Sequence, residues 1–444
     1  MNHIELFAGC GGLSLGLETA GFDLLLANEI SPMASETFAY NILNVDLDEL
    51  ENSQKVLWIS SSYERKEMTR RLRENPEIAI GLKPHQFSDL KKNTLTNEQL
   101  KRSLLVGSIS DLNTLLDDKD SSLLKKLQNG LGNGHVDLVS GGPPCQSFSL
   151  AGLRDHSNKR NQLPWEFAKF VNMVKPKVAM LENVSGILRA FKIGDESYHA
   201  WFEVSKAFAT IGYIPLCLHV NAKYVGAAQN RPRFIMIGLR EDIFIKIIKN
   251  SKDDKFAKLS SPAKAFFDRV RQGEDPEYGC LPCFDVDKNP EFFSLEIFES
   301  LVTNKNNDLV TVKDAIDDLR SSKIKKSTYV ESLNNTFSNP NQNACDKSFN
   351  HEKRLNNPKV RARFRIYQIM TKLNKKEFYE VSKYLKTGGE FGISITTLKL
   401  MQAHWILDLD GNVNPRPEKH QLIQLLKNLN TKKQTQQFYK IYQK

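Results

Sequence analysis

Three short stretches of this chain carry residues that could do covalent chemistry together. The run Gly141-Gly142-Pro143-Pro144-Cys145-Gln146-Ser147-Phe148-Ser149 follows an apolar stretch at 136–140, which sets Cys145 on a loop at the end of a strand. Paired glycines and prolines hold such a loop in one shape, as a thiolate nucleophile requires; without that setting a lone cysteine would read as core packing. Leu181-Glu182-Asn183-Val184 places an acid at the end of the next apolar run, where it can serve as a general acid or simply cap a helix. Gln229-Asn230-Arg231-Pro232-Arg233 opens a further run with Arg231 and Arg233 on one side of a strand, where a solvated charge pair is the plain alternative to a site role.

The elements that would position these groups alternate between strand and helix. Residues 4–7 form an apolar run into the glycine-rich turn Gly9-Cys10-Gly11-Gly12, and 13–20 carry helical spacing closed by Gly21. A second run at 22–27 ends at Asn28-Glu29, so an acid stands about 20 positions past the turn, the place where a ribose hydroxyl is bound in nucleotide folds. A glycine turn after a strand also arises from tight packing alone. Further strands are predicted at 104–106, 136–140, 178–181, 216–220 and 234–239, with a helix over 165–174.

This pattern predicts an α/β, doubly wound, Rossmann-like domain over residues 1–240, interrupted by a polar surface insertion at about 46–101. Residues 241–444 lose the alternation and predict a second, smaller α+β or irregular domain. Its long polar stretches are at 249–258 and 334–343.

The 444 residues include 62 Lys and Arg against 52 Asp and Glu, a net charge of +10 that suits a polyanionic partner. Six cysteines without a framework of close spacings read as free thiols. No signal peptide or apolar run of membrane-spanning length stands out, so a soluble, cytoplasmic protein is expected. Cys280-Leu281-Pro282-Cys283 has ligand spacing, but one pair is poor ground for zinc and no metal is assigned. His156 and His219 receive no role.

The ordered motifs ELFAGCGGLSLGLETAGF, NEI, GGPPCQSFS, LENV and QNRPRFIMIG resemble the DNA (cytosine-5)-methyltransferases over about residues 3–240. The resemblance implies S-adenosylmethionine as cofactor and a cytosine flipped out of duplex DNA as substrate, in a bacterial restriction-modification setting. Position by position it implies that Phe7, Gly9, Gly11, Gly12 and Leu13 form the cofactor turn. Glu29 would take the ribose and Ile30 the adenine, with Ile109, Pro144 and Leu163 also at the cofactor. Ser108 stands where the family has an aspartate, which weakens the adenine amino contact expected there.

Cys145 would be the thiolate that adds to carbon 6. Glu182, kept partly protonated by burial, would act at N3, and Arg233 or Arg231 would hold the cytosine O2 and position Glu182. The loop from Gln146 would close on the flipped base, with Gln146, Ser149, Arg154, Lys159 and Arg160 near the DNA. In the second domain Arg361, Arg363 and Arg365 concentrate positive charge for phosphates or form a solvated helix face. The family's terminal Gly-Asn-x-Val segment is not found, so a second polypeptide supplying it is one expectation. A tRNA cytosine methyltransferase and a catalytically silent DNA-binding homologue are the other readings. The latter would need neither Cys145 nor Glu182.

Overall fold

The computed structural model describes residues 1–47, 54–81, 83, 86–90, 95–118, 121–144, 162–193, 196–251, 254–303, 309–320, 325–337, 355–407 and 413–429. Eleven strands fall within them: β1 (Asn2–Leu6), β2 (Asp23–Glu29), β3 (Val56–Trp58), β4 (Ser103–Val106), β5 (Leu138–Gly141), β6 (Val178–Val184), β7 (Phe191–Ile193), β8 (Glu196–Tyr198), β9 (Tyr213–Asn221), β10 (Pro232–Arg240) and β11 (Cys283–Asp285). Nine of them form one sheet in the order β11-β9-β10-β6-β5-β1-β2-β4-β3. Only β10 runs against its neighbours, pairing antiparallel with β6 and β9. The chain leaves β1 toward β2 and β4, then returns to the other side through β5 and β6. This reversal is the topological switch point at which α/β sheets bind ligands.

The central strands are covered on both faces, and β1 and β5 are buried along their whole length. Helices Gly12–Thr19 and Leu163–Val174 follow the two strands that flank the switch point. The second packs Phe167, Phe170, Val171 and Val174 into the core and begins with Pro164, which suits a first helical turn. Helix Pro32–Phe38 starts from an N-cap at Ser31, whose hydroxyl accepts from Ala34 N.

Two expectations change. The stretch at about 46–101 is not only a surface insertion: β3 pairs in parallel with β4 as the sheet's outer strand, and Trp58, Ile59 and Leu72 are buried. Nor does packing stop at residue 240. Phe244, Phe256, Phe266, Phe267, Phe284, Phe292, Phe293 and Phe298 share the core of the sheet, each contributing about 1.5–3 kcal/mol on burial, and β11 extends the sheet itself. The chain divides instead into compact units of Met1–Lys347 and Ser348–Lys444.

In the second unit the described residues contain four helices, Pro358–Met370, Lys375–Thr387, Ile395–Trp405 and Lys419–Leu429. They bury Ile366, Met370, Val381, Leu398, Met401 and Leu426 in a core of their own. Asn374 and Glu377 form a capping box, and the Glu380 carboxylate accepts from Ser394 and Thr397 to fix the next helix start. Among the described residues no helix is long and apolar enough to cross a membrane.

Candidate active site

Strand register brings the motif residues to one edge. Leu6 lies opposite both Asn28 and Gly141, and Gly141 lies opposite Leu181. The next residues of β1 and β5, Phe7 and Gly142, therefore leave the sheet beside Glu182. Gly141 is fixed by contact: a Cβ there would stand 2.7 Å from Leu6 O and 2.8 Å from the Phe167 ring.

On the cofactor side the turn after β1 carries an unusual backbone. Phe7 has φ 56°, a conformation costly for a bulky residue, and Gly11 has φ 90°. A Cβ at Gly11 would also lie 2.7 Å from Ile42, so glycine is required twice over. Gly12 and Leu13 open the first helix. The Glu29 carboxylate ties the turns together, accepting from Gly9 N and Ser31 N at 2.8 Å each. Asn28 Nδ2 donates to Leu105 O and Gly107 O, locking β2 to the end of β4.

Beside Glu29 a shallow cleft is walled by Ile30, Pro32, Trp58, Pro76 and Val106. An acid at the strand end, a glycine turn and a flat apolar cleft fit the ribose and base of a nucleoside cofactor. Ser108, at the rim of the cleft, is 8% exposed, and its hydroxyl accepts from Ser110 N. Ile109 is buried in the core beneath it. Leu163 is half-buried at the start of its helix, and Pro144 is exposed.

Under the turn, Glu5 is 2% exposed, and Ser14 Oγ donates to its carboxyl. Burial pushes this carboxyl up to about 7, opposed by the Ser14 hydrogen bonds and helped by the charge of Glu29.

On the other side Asn183 Nδ2 donates to Pro143 O at 3.1 Å, fastening the Gly-Pro loop to the end of β6. Glu182 Oε2 would be 3.1 Å from a Cβ at Gly142, so the carboxylate lies along the loop backbone. Arg233 Nε is 2.5 Å from Glu182 Oε1, in ion contact but off the hydrogen-bond direction, and its Nη1 donates to Pro232 O. Of the two arginines, Arg233 is the one in contact with Glu182, and Arg231 is exposed. The expected burial of Glu182 is not found, since its side chain keeps 36% of its exposure and faces a guanidinium.

Cys145, Gln146, Ser149, Arg154, Lys159 and Arg160 lie outside the described residues. Arg361 is exposed and Arg363 half-buried on helix Pro358–Met370. On the same helix Arg365 Nη2 donates to His404 O and Trp405 O at 2.8 Å, closing the end of the neighbouring helix.

The C-5 cytosine-specific DNA methylase family model matches residues 1–62 and 113–438. The chain belongs to this family. It is 29% identical over 242 residues to the Type II methyltransferase M.DdeI of Desulfomicrobium norvegicum, covering 54% of this chain and 41% of that protein. It is 29% identical over 244 residues to the Type II methyltransferase M1.HphI of Haemophilus parahaemolyticus, covering 54% of this chain and 46% of that protein. The matched part thus spans under half the length of these relatives. A solved structure of a prophage-encoded DNA modification methyltransferase of E. coli is 26% identical, with TM-score 0.34, and the match covers 57% of this chain and 49% of that one.

Sequence reasoning missed a relay at the same edge. His219, on β9, has Nδ1 2.7 Å from Asp285 Oδ2 and Nε2 3.0 Å from Ser185 Oγ, three residues past Glu182. Burial pushes the Asp285 carboxyl up, but the hydrogen bonds from His219 and Asp287 N hold it below its usual range. Asp285 comes from β11, a strand of three residues with no alternation to reveal it.

Proposed function

We propose that this chain is a DNA (cytosine-5)-methyltransferase of a restriction-modification system, acting on a cytosine turned out of duplex DNA. The observation that carries the reading is the meeting, at one sheet edge, of the Asn183-tethered loop leading to Cys145, the Glu182–Arg233 pair and the Glu29 cleft. A binding protein needs none of the first two. The residues of the cleft suit S-adenosylmethionine, with Glu29 toward the ribose and Ile30 toward the adenine.

Carbon 5 of cytosine is a weak nucleophile, and the residues present address that weakness. Cys145, as thiolate, forms an S–C bond at carbon 6, placing electron density on carbon 5. Glu182 meets the N3 edge of the base, lending or sharing the proton that makes carbon 6 electrophilic, and Arg233 fixes the carboxyl while reaching toward O2. S-adenosylmethionine, when bound, supplies a sulfonium methyl that carbon 5 can attack. Loss of the proton on carbon 5 to a base then expels Cys145, restoring the thiolate and the aromatic ring. Since no atom of this path is reachable in stacked DNA, the base must leave the helix at a cost of a few kcal/mol.

Arg361 and Arg363 of the second unit are proposed to bind phosphates; replacing either with alanine would lower the salt slope of binding by about 0.9.

Replacing the carbon-5 hydrogen of the target by fluorine tests the reading, because the last step then has no proton to lose. Duplex DNA containing 5-fluorocytosine, incubated with the chain and S-adenosylmethionine, should yield a denaturant-resistant protein–DNA adduct that is absent with Cys145→Ser. An adduct that forms equally with Cys145→Ser, or none with the folded wild-type chain, would refute it.

A further inference from the structure

The end of β6 is contacted on both faces of the sheet. Leu181 and Asn183 are buried while Glu182 and Val184 are half-buried, so Glu182 and Asn183 point to opposite faces. Register carries the alternation across the neighbouring strands. Arg233 lies opposite Val184 and shares the Glu182 face, whereas Phe234 lies opposite both Asn183 and His219 and sets those side chains on the other face. On the first face Arg233 is in ion contact with Glu182. On the second, Asn183 Nδ2 donates to Pro143 O, and His219 Nε2 reaches past the strand end to lie 3.0 Å from Ser185 Oγ.

Ser185 opens the short helical turn Ser185–Leu188 that follows the motif strand. What holds its partner comes from far along the chain. Asp285 lies opposite His219 in the register of β11 and β9, with Oδ2 2.7 Å from Nδ1. An ionised carboxylate only accepts, so Nδ1 carries the proton, and in the neutral ring Nε2 is then the acceptor of the Ser185 O–H. Asp285 is itself fixed. Its Oδ1 accepts from Asp287 N and its amide donates to Asn289 Oδ1, both at 2.9 Å, while Val286 N donates to His219 O. Tyr224 OH donates to Asp287 Oδ1 at 2.7 Å, which ties the same turn to the segment between β9 and β10 that leads to Arg233.

We propose that His219, oriented by Asp285, is a positioning residue for methyl transfer: through Ser185 it fixes the end of β6 and so sets Glu182 against the loop that leads to Cys145. The proposal rests on the roles of Glu182 and Cys145 given above and adds residues which that reading does not supply. Glu182 must meet the N3 edge of the base while the loop brings the thiolate to carbon 6. Both are set from adjacent residues of one strand end, Glu182 directly and the loop through Asn183 and Pro143. A misplacement of about 1 Å in such a geometry costs on the order of 10²-fold in rate.

Single-turnover methyl transfer by the full chain, measured beside its Kd for DNA and for S-adenosylhomocysteine, separates positioning from folding and binding. His219→Leu and Ser185→Ala should each lower the rate about 10- to 100-fold and change either Kd by less than about 3-fold. Ser185→Ala removes only a hydroxyl from a half-buried position and keeps the test open should the His219 variant not fold. Ser185→Thr retains the hydroxyl and should recover the rate to within about 3-fold of wild type. The double variant should be no slower than the slower single one, because both substitutions remove the same contact. Normal rates in the folded single variants, rate losses that multiply in the double variant, a Ser185→Thr chain as slow as Ser185→Ala, or a rate loss matched by lost affinity would overturn the proposal. Absence of transfer by the wild-type chain would refute the catalytic reading and this proposal together. Wild-type transfer with unaffected variants refutes the proposal alone.

Discussion

Replacing Glu5 with glutamine removes a titrating group from beneath the cofactor turn, and the structure sets the size of the effect. The carboxyl is 2% exposed and pushed up from 4.5 to about 7, chiefly by burial, against the Ser14 hydrogen bonds and with a contribution from Glu29. A raised acid favours the protonated form in the native state. Its stabilising share is therefore complete below pH 4.5 and lost as pH rises through 7. A shift of this size corresponds to roughly 3 kcal/mol. Glutamine imitates the protonated carboxyl at every pH. The variant should match wild type near pH 4.5 and be more stable by up to about 3 kcal/mol at pH 8.5. Urea unfolding of both chains across that range, together with hydrogen exchange of the β1 amides, reads the difference. His3, which burial lowers to about 4, destabilises both chains as pH falls below 6.5 and cancels in the comparison. A stability difference that stays flat from pH 4.5 to 8.5 would refute the reasoning.

Other expectations follow from single contacts. Arg71→Ala leaves Asp89 with only the more distant Arg65 at 3.3 Å and should cost about 1–3 kcal/mol in urea unfolding, with weaker binding of S-adenosylhomocysteine as the cleft wall loosens. Arg233→Ala frees Glu182 and should lower the single-turnover methyl-transfer rate by roughly 10²-fold while DNA affinity, read by anisotropy, changes little. Asp285→Ala removes a carboxylate held below its ordinary 3.8, whose contribution is present above that pH and lost as pH falls through the lower folded value. Its thermal-stability deficit at pH 7 should therefore shrink as pH is taken below 3.8, and a deficit that grows in acid would contradict the His219 contact.

The chemistry is more legible in the sequence than its supports. The glycine turn, Glu29 and Glu182 announce themselves because each sits at the end of an apolar run, and Arg233 because it opens one that runs the other way, and strand register then places all of them on one edge. The outer wall of the cleft reads as polar surface because β3 has three residues, too few for a period, and its burial depends on pairing with β4 far along the chain. The His219 relay is hidden for the same reason, joining β9 to a short strand 66 residues later. Arg365 looks like its neighbours on a basic helix, and only the position of Trp405 shows that it closes another helix. Sequence alternation puts the domain boundary too early because the phenylalanines after residue 240 lack strand periodicity, though they complete the core of the sheet.

Labelled methyl transfer tests the central claim most directly. Purified chain, tritiated S-adenosylmethionine and unmethylated mixed-sequence DNA are incubated, with Cys145→Ser as control and RNA as competitor, and the DNA is digested to nucleosides. The account predicts label in 5-methylcytosine of DNA, abolished in Cys145→Ser and undiminished by RNA. Label in another base, label persisting without the Cys145 thiol, or no label from the folded chain would contradict it.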